Sequence, residues 1–126
     1  MAAQGIGWMG IQTPSFDEME RFLAAVIGAG PATVEPGFRL WSLPNGDLVE
    51  LFAPGSKPTF GAGPTVGFLV DDLDRARDAV EAAGGTVVSG YGPNEDGYVA
   101  IHVGGPDGNV YELINDPQHE ERGSGV

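Results

Sequence analysis

The sequence predicts an α+β fold in which two βαβββ modules, in a pseudo-twofold arrangement, form a curved mixed sheet around a cavity. Two internal repeats support this prediction. The segment Pro-Asn-Gly-Asp-Leu-Val-Glu-Leu at 44–51 recurs sixty-two positions later as Pro-Asp-Gly-Asn-Val-Tyr-Glu-Leu at 106–113. The segment 9–17 recurs fifty-seven positions later at 66–74, and in both copies a strand leads into the start of a helix. The difference of five residues between the two offsets predicts one longer loop in the second module.

The first module is expected to span about residues 5–54. Apolar alternation predicts its first strand at 6–12. Ser15 followed by Glu18 is a capping-box pattern, and the apolar residues after it recur at helical spacing, which predicts a helix over 16–27. The Pro-Asn-Gly segment favours a tight turn that leads into a strand. The other strands of this module are expected near 33–35, 38–43 and 48–53.

The second module is expected to span about residues 65–115 and to repeat this pattern. Asp72 is a helix N-cap, and a Gly-Gly pair ends the apolar stripe of the helix that follows. Segment 55–64 has no hydrophobic periodicity, so it is predicted to link the modules. The polar tail 116–126 is expected to fray. The elements of this module are expected at 65–70, 73–83, 86–90, 98–103 and 109–114.

Composition indicates one compact domain over residues 1–126, because the chain is too short to bury two separate cores. Cys is absent, which excludes a disulfide framework and a thiolate metal site. No apolar run of the length of a signal peptide or membrane span occurs, so a cytoplasmic protein without membrane contact is expected. The formal net charge of −12 argues against nucleic-acid binding, since few side chains could neutralise phosphates. The high Ala and Gly content with a single Lys suggests a bacterial source.

A carboxylate recurs at the same place in both copies of the longer repeat. Successive side chains of a strand point to opposite faces, so Glu50 lies opposite Val49 and Leu51. Glu112 lies opposite its own apolar neighbours in the same way. Each module covers one sheet face with its helix, and both carboxylates are therefore expected on the other face, in the cavity.

Alternation places four further side chains on that face. Trp8 and Gln12 share the face opposite Met9 on the first strand, and Tyr98 shares its face with His102 near the end of the second module. His102 lies ten residues before the second repeated carboxylate, across the final hairpin. It is explained equally well as a ligand-facing group and as a hydrogen-bonded structural histidine, so both interpretations stay open.

These segments resemble the vicinal oxygen chelate superfamily, which holds glyoxalase I, extradiol dioxygenases, fosfomycin-modifying enzymes and the bleomycin-resistance binding proteins. The resemblance covers residues 6–115. It is most specific at 105–113, which is similar to the last hairpin of that superfamily, and at 67–74, which is similar to the start of its second module. Because related proteins commonly dimerise, the resemblance implies a homodimer.

Metal-dependent members of that superfamily hold the metal with a His or Gln on the first strand of each module and a Glu on the last. The matching positions in this sequence are Trp8, Glu50, Thr65 and Glu112. Trp8 and Thr65 are not credible ligands, so the resemblance implies a cavity without a metal or other cofactor. The alternative is a divalent metal held by Glu50, His102 and Glu112.

Two classes of function are consistent with these residues. The first is a protein that binds a small aromatic or cationic molecule, with Trp8 stacking on it. The second is a lyase, isomerase or dioxygenase, with or without a metal, in which Glu50, Glu112 and His102 are catalytic. Nucleophilic catalysis is not expected, because Cys is absent and the sequence pairs no Ser with a base. The predicted ligand-binding residues are Trp8, Gln12, Glu50, Thr65, Tyr98, His102 and Glu112.

Overall fold

The structure is a computed structural model that describes residues 3–55 and 63–124. Residues 56–62 of the predicted linker 55–64 lie outside the described residues. All ten predicted strands and helices are present, with bounds that differ from the expected ones by one residue at most. The elements are β1 (Gly5–Gln12), α1 (Phe16–Ile27), β2 (Thr33–Glu35), β3 (Phe38–Ser42), β4 (Leu48–Phe52), β5 (Thr65–Leu69), α2 (Leu73–Ala82), β6 (Thr86–Tyr91), β7 (Val99–Gly104), β8 (Val110–Asn115) and α3 (His119–Ser124).

The eight strands form one curved, unclosed sheet in the order β2-β3-β4-β1-β5-β8-β7-β6. In each half the first strand of a module pairs in parallel with the last strand, β1 with β4 and β5 with β8. The two modules meet where β1 pairs antiparallel with β5. The predicted α+β fold of two βαβββ modules in one mixed sheet is therefore confirmed.

The longer loop predicted for the second module lies between its second and third strands. Residues 36–37 connect β2 to β3, whereas residues 92–98 connect β6 to β7. The second connection is thus five residues longer, which equals the difference between the two repeat offsets. This loop lies beside the cavity, and its residues Asn94, Asp96 and Tyr98 line the cavity.

Helices α1 and α2 each pack on the outer face of their own module. The core below α1 is centred on Leu23, Trp41 and Leu51, and the core below α2 on Ala76, Val103 and Leu113. A third apolar cluster lies on the opposite, concave face. It is formed by Trp8, Phe52, Ala100 and Ile114, with Phe38, Leu48, Leu69 and Tyr98 packed against them.

Helices α1 and α2 begin with different capping interactions. Asp72 accepts a hydrogen bond from the backbone N–H of Arg75 at 3.1 Å, as predicted. Ser15 stands at the N-cap of α1, but its side chain makes no capping bond. Its backbone N–H instead donates to Oγ1 of Thr13 at 3.1 Å, so the predicted capping box is wrong although the helix begins where expected.

The tail was expected to fray, and this is wrong for residues 119–124, which form α3. His119 Nε2 lies 2.7 Å from Oδ1 of Asp47, and Arg122 donates from Nε and Nη2 to the carbonyl of Gly46 at 3.0 and 2.8 Å. Arg122 also pairs with Asp116 at 2.5 Å. These bonds hold the short helix on the turn between β3 and β4, which no periodicity of the tail could predict.

No helix in the described ranges is long and apolar enough to cross a membrane.

Candidate functional site

A cavity of about 720 Å³ occupies the concave face of the sheet and is lined by both modules of the same chain. This volume lies within the range of small-molecule sites. Glu50 and Glu112 both line it, which confirms that the two repeated carboxylates share one concavity. Its other lining residues are Trp8, Ala32, Glu35, Phe38, Leu40, Ser42, Leu48, Phe52, Tyr91, Asn94, Asp96, Tyr98, His102 and Arg122.

Glu50 is held by Trp8 on the neighbouring strand. The indole Nε1–H donates to Oε1 of Glu50, across the parallel pair of β1 and β4. Trp8 is only 2% exposed, and its ring lies over Gly10, where an added Cβ would come within 2.3 Å of the indole. A side chain at position 10 would therefore displace the indole from the cavity wall.

Glu112 is held by His102, which stands directly opposite it in the antiparallel pair of β7 and β8. His102 Nε2 lies 3.0 Å from Oε2 of Glu112, and both residues are at most 5% exposed. The other ring nitrogen, Nδ1, lies 2.9 Å from the hydroxyl oxygen of Ser89 on β6. A chain of hydrogen bonds thus runs from the edge strand β6 to the carboxyl group of Glu112.

The charge state of Glu50 depends on its burial, on Trp8 and on the neighbouring Glu112. Burial raises the pKa of Glu50 from 4.5 to about 7, the Trp8 hydrogen bond opposes that rise, and the negative charge of Glu112 adds to it. Each of the two hydrogen bonds uses one oxygen of its carboxyl group, so neither occupies the second oxygen. Because its pKa is about 7, Glu50 can gain or lose a proton near neutral pH.

Aromatic rings form much of the remaining wall. Phe38 and Phe52 pack at 5.4 Å between ring centroids, and Tyr91 and Tyr98 meet edge to face at 6.1 Å. The pKa of Tyr98 is raised well above 10 by burial and by the nearby negative charges, so its hydroxyl stays protonated at physiological pH. The centre of the cavity thus combines apolar faces with the carboxyl groups of Glu50 and Glu112 and the phenol of Tyr98.

Five of the seven predicted ligand-binding residues line the cavity, and two do not. Trp8, Glu50, Tyr98, His102 and Glu112 are brought together as expected. Gln12 and Thr65 are not among the described residues that line it. Thr65 is buried at the β1–β5 junction opposite Gly10, and Gln12 ends β1 beside Phe52. Strand parity placed both on the correct face of the sheet but could not say how far along the strand the cavity reaches.

Several lining residues were not predicted. Phe38, Leu40 and Ser42 lie on one face of β3, and alternation alone does not tell which face of that strand meets the cavity. Leu40 stands opposite Glu50 in the β3–β4 pair, and this register places Leu40 on the cavity face. The register of the hairpin was needed to predict which face of β3 lines the cavity. Arg122 reaches the cavity from α3, and no sequence signal indicated it.

The residues at the four metal positions implied by the resemblance do not fit a metal ion. The Trp8 indole N–H donates a hydrogen bond to Oε1 of Glu50, and Thr65 does not line the cavity. The alternative set of Glu50, His102 and Glu112 is not gathered into a metal site either. Within 3–55 and 63–124, no group of three or more His, Asp or Glu side chains is arranged to hold a metal.

A family model described as the Glyoxalase/Bleomycin resistance protein/Dioxygenase superfamily matches residues 5–113 of the chain. This match spans both modules. It includes the two repeats and all the described residues that line the cavity except Arg122. No curated protein sequence matches the chain.

Solved structures with this fold include three bacterial proteins. The Mn(II)-bound glyoxalase from Novosphingobium aromaticivorans has a TM-score of 0.71 at 21% identity, covering 90% of this chain and 39% of its own. Methylmalonyl-CoA epimerase from Mycobacterium tuberculosis has a TM-score of 0.63 at 18% identity, covering 90% and 89%. A superfamily member from Vibrio splendidus 12B01 has a TM-score of 0.64 at 17% identity, covering 91% and 100%. At these identities the likeness concerns the fold alone.

Proposed function

Because the chain belongs to the glyoxalase/bleomycin resistance protein/dioxygenase superfamily, we propose that it binds a small planar cation in the cavity between its two modules. The observation that carries this proposal is the pair of carboxyl groups, Glu50 and Glu112, on the concave face among aromatic walls. Such a cavity offers apolar contact to a ring and charge pairing to a cationic head.

The charges of the lining residues favour a cation over an anion. Besides the two central carboxyl groups, Glu35 and Asp96 line the cavity, and Arg122 is the one Lys or Arg among the described lining residues. Arg122 is already paired with Asp116 and with the carbonyl of Gly46. An anionic ligand would therefore meet uncompensated like charge, whereas a cation would neutralise part of it.

The shape of the walls favours a planar molecule. Trp8 provides a buried indole beside Glu50, and Phe38, Phe52 and Tyr98 extend the apolar surface. Aromatic contacts of this kind contribute roughly 0.5–1.5 kcal/mol beyond area burial. A ligand with a ring and an amine or amidine group would use both parts of the site.

Benzamidine, benzamide and benzoate test this proposal, because they have nearly the same shape and differ in charge. We expect benzamidine to bind at least tenfold more tightly than benzamide at pH 8, and benzoate not to bind measurably, by isothermal titration calorimetry. Benzamidine affinity should rise between pH 6 and pH 8, because Glu50 loses its proton in this range. Glu50→Gln and Glu112→Gln should each lower benzamidine affinity and leave benzamide binding nearly unchanged.

Glu18→Gln serves as the matched control, since Glu18 is exposed on α1 outside the cavity. It should leave benzamidine affinity unchanged. Equal affinity for the three probes, or preference for benzoate, would overturn the proposal.

A second function is favoured by the burial of Glu50 in the cavity wall, which raises its pKa to about 7. A carboxyl group that titrates near 7 can act as a general base without the help of a metal. Glu50 would then take a proton from a carbon next to a carbonyl group and return it, as in a metal-free isomerase. The apolar wall around Glu50 would accommodate an aryl ketone.

Exchange of deuterium from solvent into phenylacetone tests this second function. If Glu50 is a general base, proton NMR should detect exchange at the carbons beside the carbonyl above the buffer rate. The exchange rate should rise as pH increases through about 7, because the base is then ionised. Glu50→Gln should reduce exchange to the buffer rate, and exchange that survives in this variant would assign the chemistry to another group.

A further inference from the structure

Tyr98 lines the cavity, and the proposed functions use its ring but not its hydroxyl. The ring packs against the concave apolar cluster that contains Trp8. The backbone N–H of Tyr98 donates to Oδ1 of Asp96 at 3.0 Å, but its hydroxyl makes no hydrogen bond within residues 3–55 and 63–124. A phenol of this kind can still donate its hydrogen to a bound molecule.

The hydroxyl of Tyr98 lies near the two central carboxyl groups and keeps its hydrogen. Burial raises its pKa most, and the negative charges of Glu112 and Glu50 raise it further. Because this pKa lies well above 10, the phenol remains a donor at the pH at which Glu50 loses its proton. A carboxylate base and a phenol donor are therefore present together in the centre of the cavity.

The other side-chain donors of the described cavity wall are either bonded to protein or exposed. Three of them lie in protein hydrogen bonds, namely Trp8 with Glu50, His102 with Glu112 and Arg122 with Asp116. Ser42, Tyr91 and Asn94 also line the cavity, but all three are exposed. Tyr98 is half-buried, so it is the donor best placed to reach an oxygen atom held among the aromatic walls.

The hydroxyl of Ser89 is directed away from the cavity. A bulge in β6 turns Ser89 toward His102, and its oxygen lies 2.9 Å from Nδ1 of that ring. The expectation that no Ser is paired with a base is therefore wrong. Ser89 is not among the described residues that line the cavity, so it has no place against a ligand.

We infer that Tyr98 binds the carbonyl oxygen of an aryl ketone and stabilises the enolate that forms when Glu50 removes a proton from the neighbouring carbon. This inference rests on the second proposed function. The proton passes to the carboxylate of Glu50, the electrons of the broken C–H bond form a carbon–carbon double bond, and the π electrons of the carbonyl move to its oxygen. The phenol donates to this oxygen where the negative charge develops. Glu50 then returns a proton to the carbon, which restores the ketone.

Deuterium exchange into phenylacetone tests the role of the hydroxyl. Tyr98→Phe keeps the ring against the apolar cluster and removes only the hydroxyl. It should lower the exchange rate about 100-fold, or to the buffer rate, because one donor to the developing oxyanion is lost. Tyr111→Phe is the matched control, since Tyr111 packs on the outer face and its hydroxyl donates to Asp107 at 2.5 Å. It should exchange like the wild type, and urea unfolding should show that both variants stay folded.

The infrared carbonyl band of bound phenylacetone gives a second measurement, which requires no catalysis. With carbon-13 at the carbonyl, the band should lie at lower frequency in the wild type than in Tyr98→Phe, because a hydrogen bond weakens the C=O bond. An equal band in the two proteins, or exchange that Tyr98→Phe does not slow, overturns the inference. A lower band in a wild type that does not catalyse exchange supports the contact with Tyr98 and overturns only the isomerase function. Phenylacetone that does not bind the wild type overturns both.

Discussion

Replacing Glu50 with glutamine should raise the free energy of unfolding by about 3 kcal/mol at pH 8 and leave it almost unchanged at pH 4. Burial raises the pKa of this carboxyl group from 4.5 to about 7. The folded protein therefore binds a proton that the unfolded chain has released, and stability falls as pH rises from 4.5 through about 7. A rise from 4.5 to about 7 corresponds to about 3 kcal/mol. Glutamine mimics the protonated form and removes this loss.

Urea unfolding of the wild type and of Glu50→Gln between pH 4 and pH 8 measures the effect. The amide of the Glu50→Gln variant keeps a carbonyl oxygen for the Trp8 indole N–H, so the comparison isolates the charge. Glu18→Gln is the matched control on an exposed side chain and should change stability by less than about 0.5 kcal/mol. A gain of the same size at both pH values would contradict the assignment of the raised pKa to Glu50.

Substitution of Trp8 should have the largest combined effect on stability and binding. Trp8 is 2% exposed and packs with Phe52, Ala100 and Ile114, so Trp8→Ala should destabilise the fold by about 3–5 kcal/mol. Trp8→Phe is the informative variant, because it keeps a ring but removes the Nε1–H that Glu50 accepts. It should raise the pKa of Glu50 further above its value in the wild type.

Three measurements check this prediction. Urea unfolding gives the stability of Trp8→Ala, NMR of the side-chain carboxyl carbon gives the pKa of Glu50 in Trp8→Phe, and calorimetry gives benzamidine affinity in both. Trp41→Phe is the control, because Trp41 is 1% exposed below α1 and donates to the carbonyl of Ala29. It should destabilise the protein without affecting benzamidine. Unchanged titration of Glu50 in Trp8→Phe would contradict the role of the indole N–H.

Local patterns in the sequence were sufficient to predict the fold and the central residues of the site. Two repeats with offsets of sixty-two and fifty-seven residues predicted the paired modules, and even the longer β6–β7 connection, because loop length is written directly in the sequence. Alternation along the strands placed Glu50, Glu112 and Trp8 on the concave face, since a regular strand has a fixed period of two. The place of His102 across the final hairpin from Glu112 followed in the same way.

The rest of the site depends on how distant segments meet. The bulge in β6 interrupts the period of two and turns Ser89 toward His102, and α3 brings Arg122 into the cavity through bonds to Gly46, seventy-six residues away. The raised pKa of Glu50 arises from burial and from Glu112 in the other module. Alternation is a property of neighbouring residues and can be read in the chain, whereas register shifts, desolvation and charge coupling arise only when the two modules close one sheet around the same cavity.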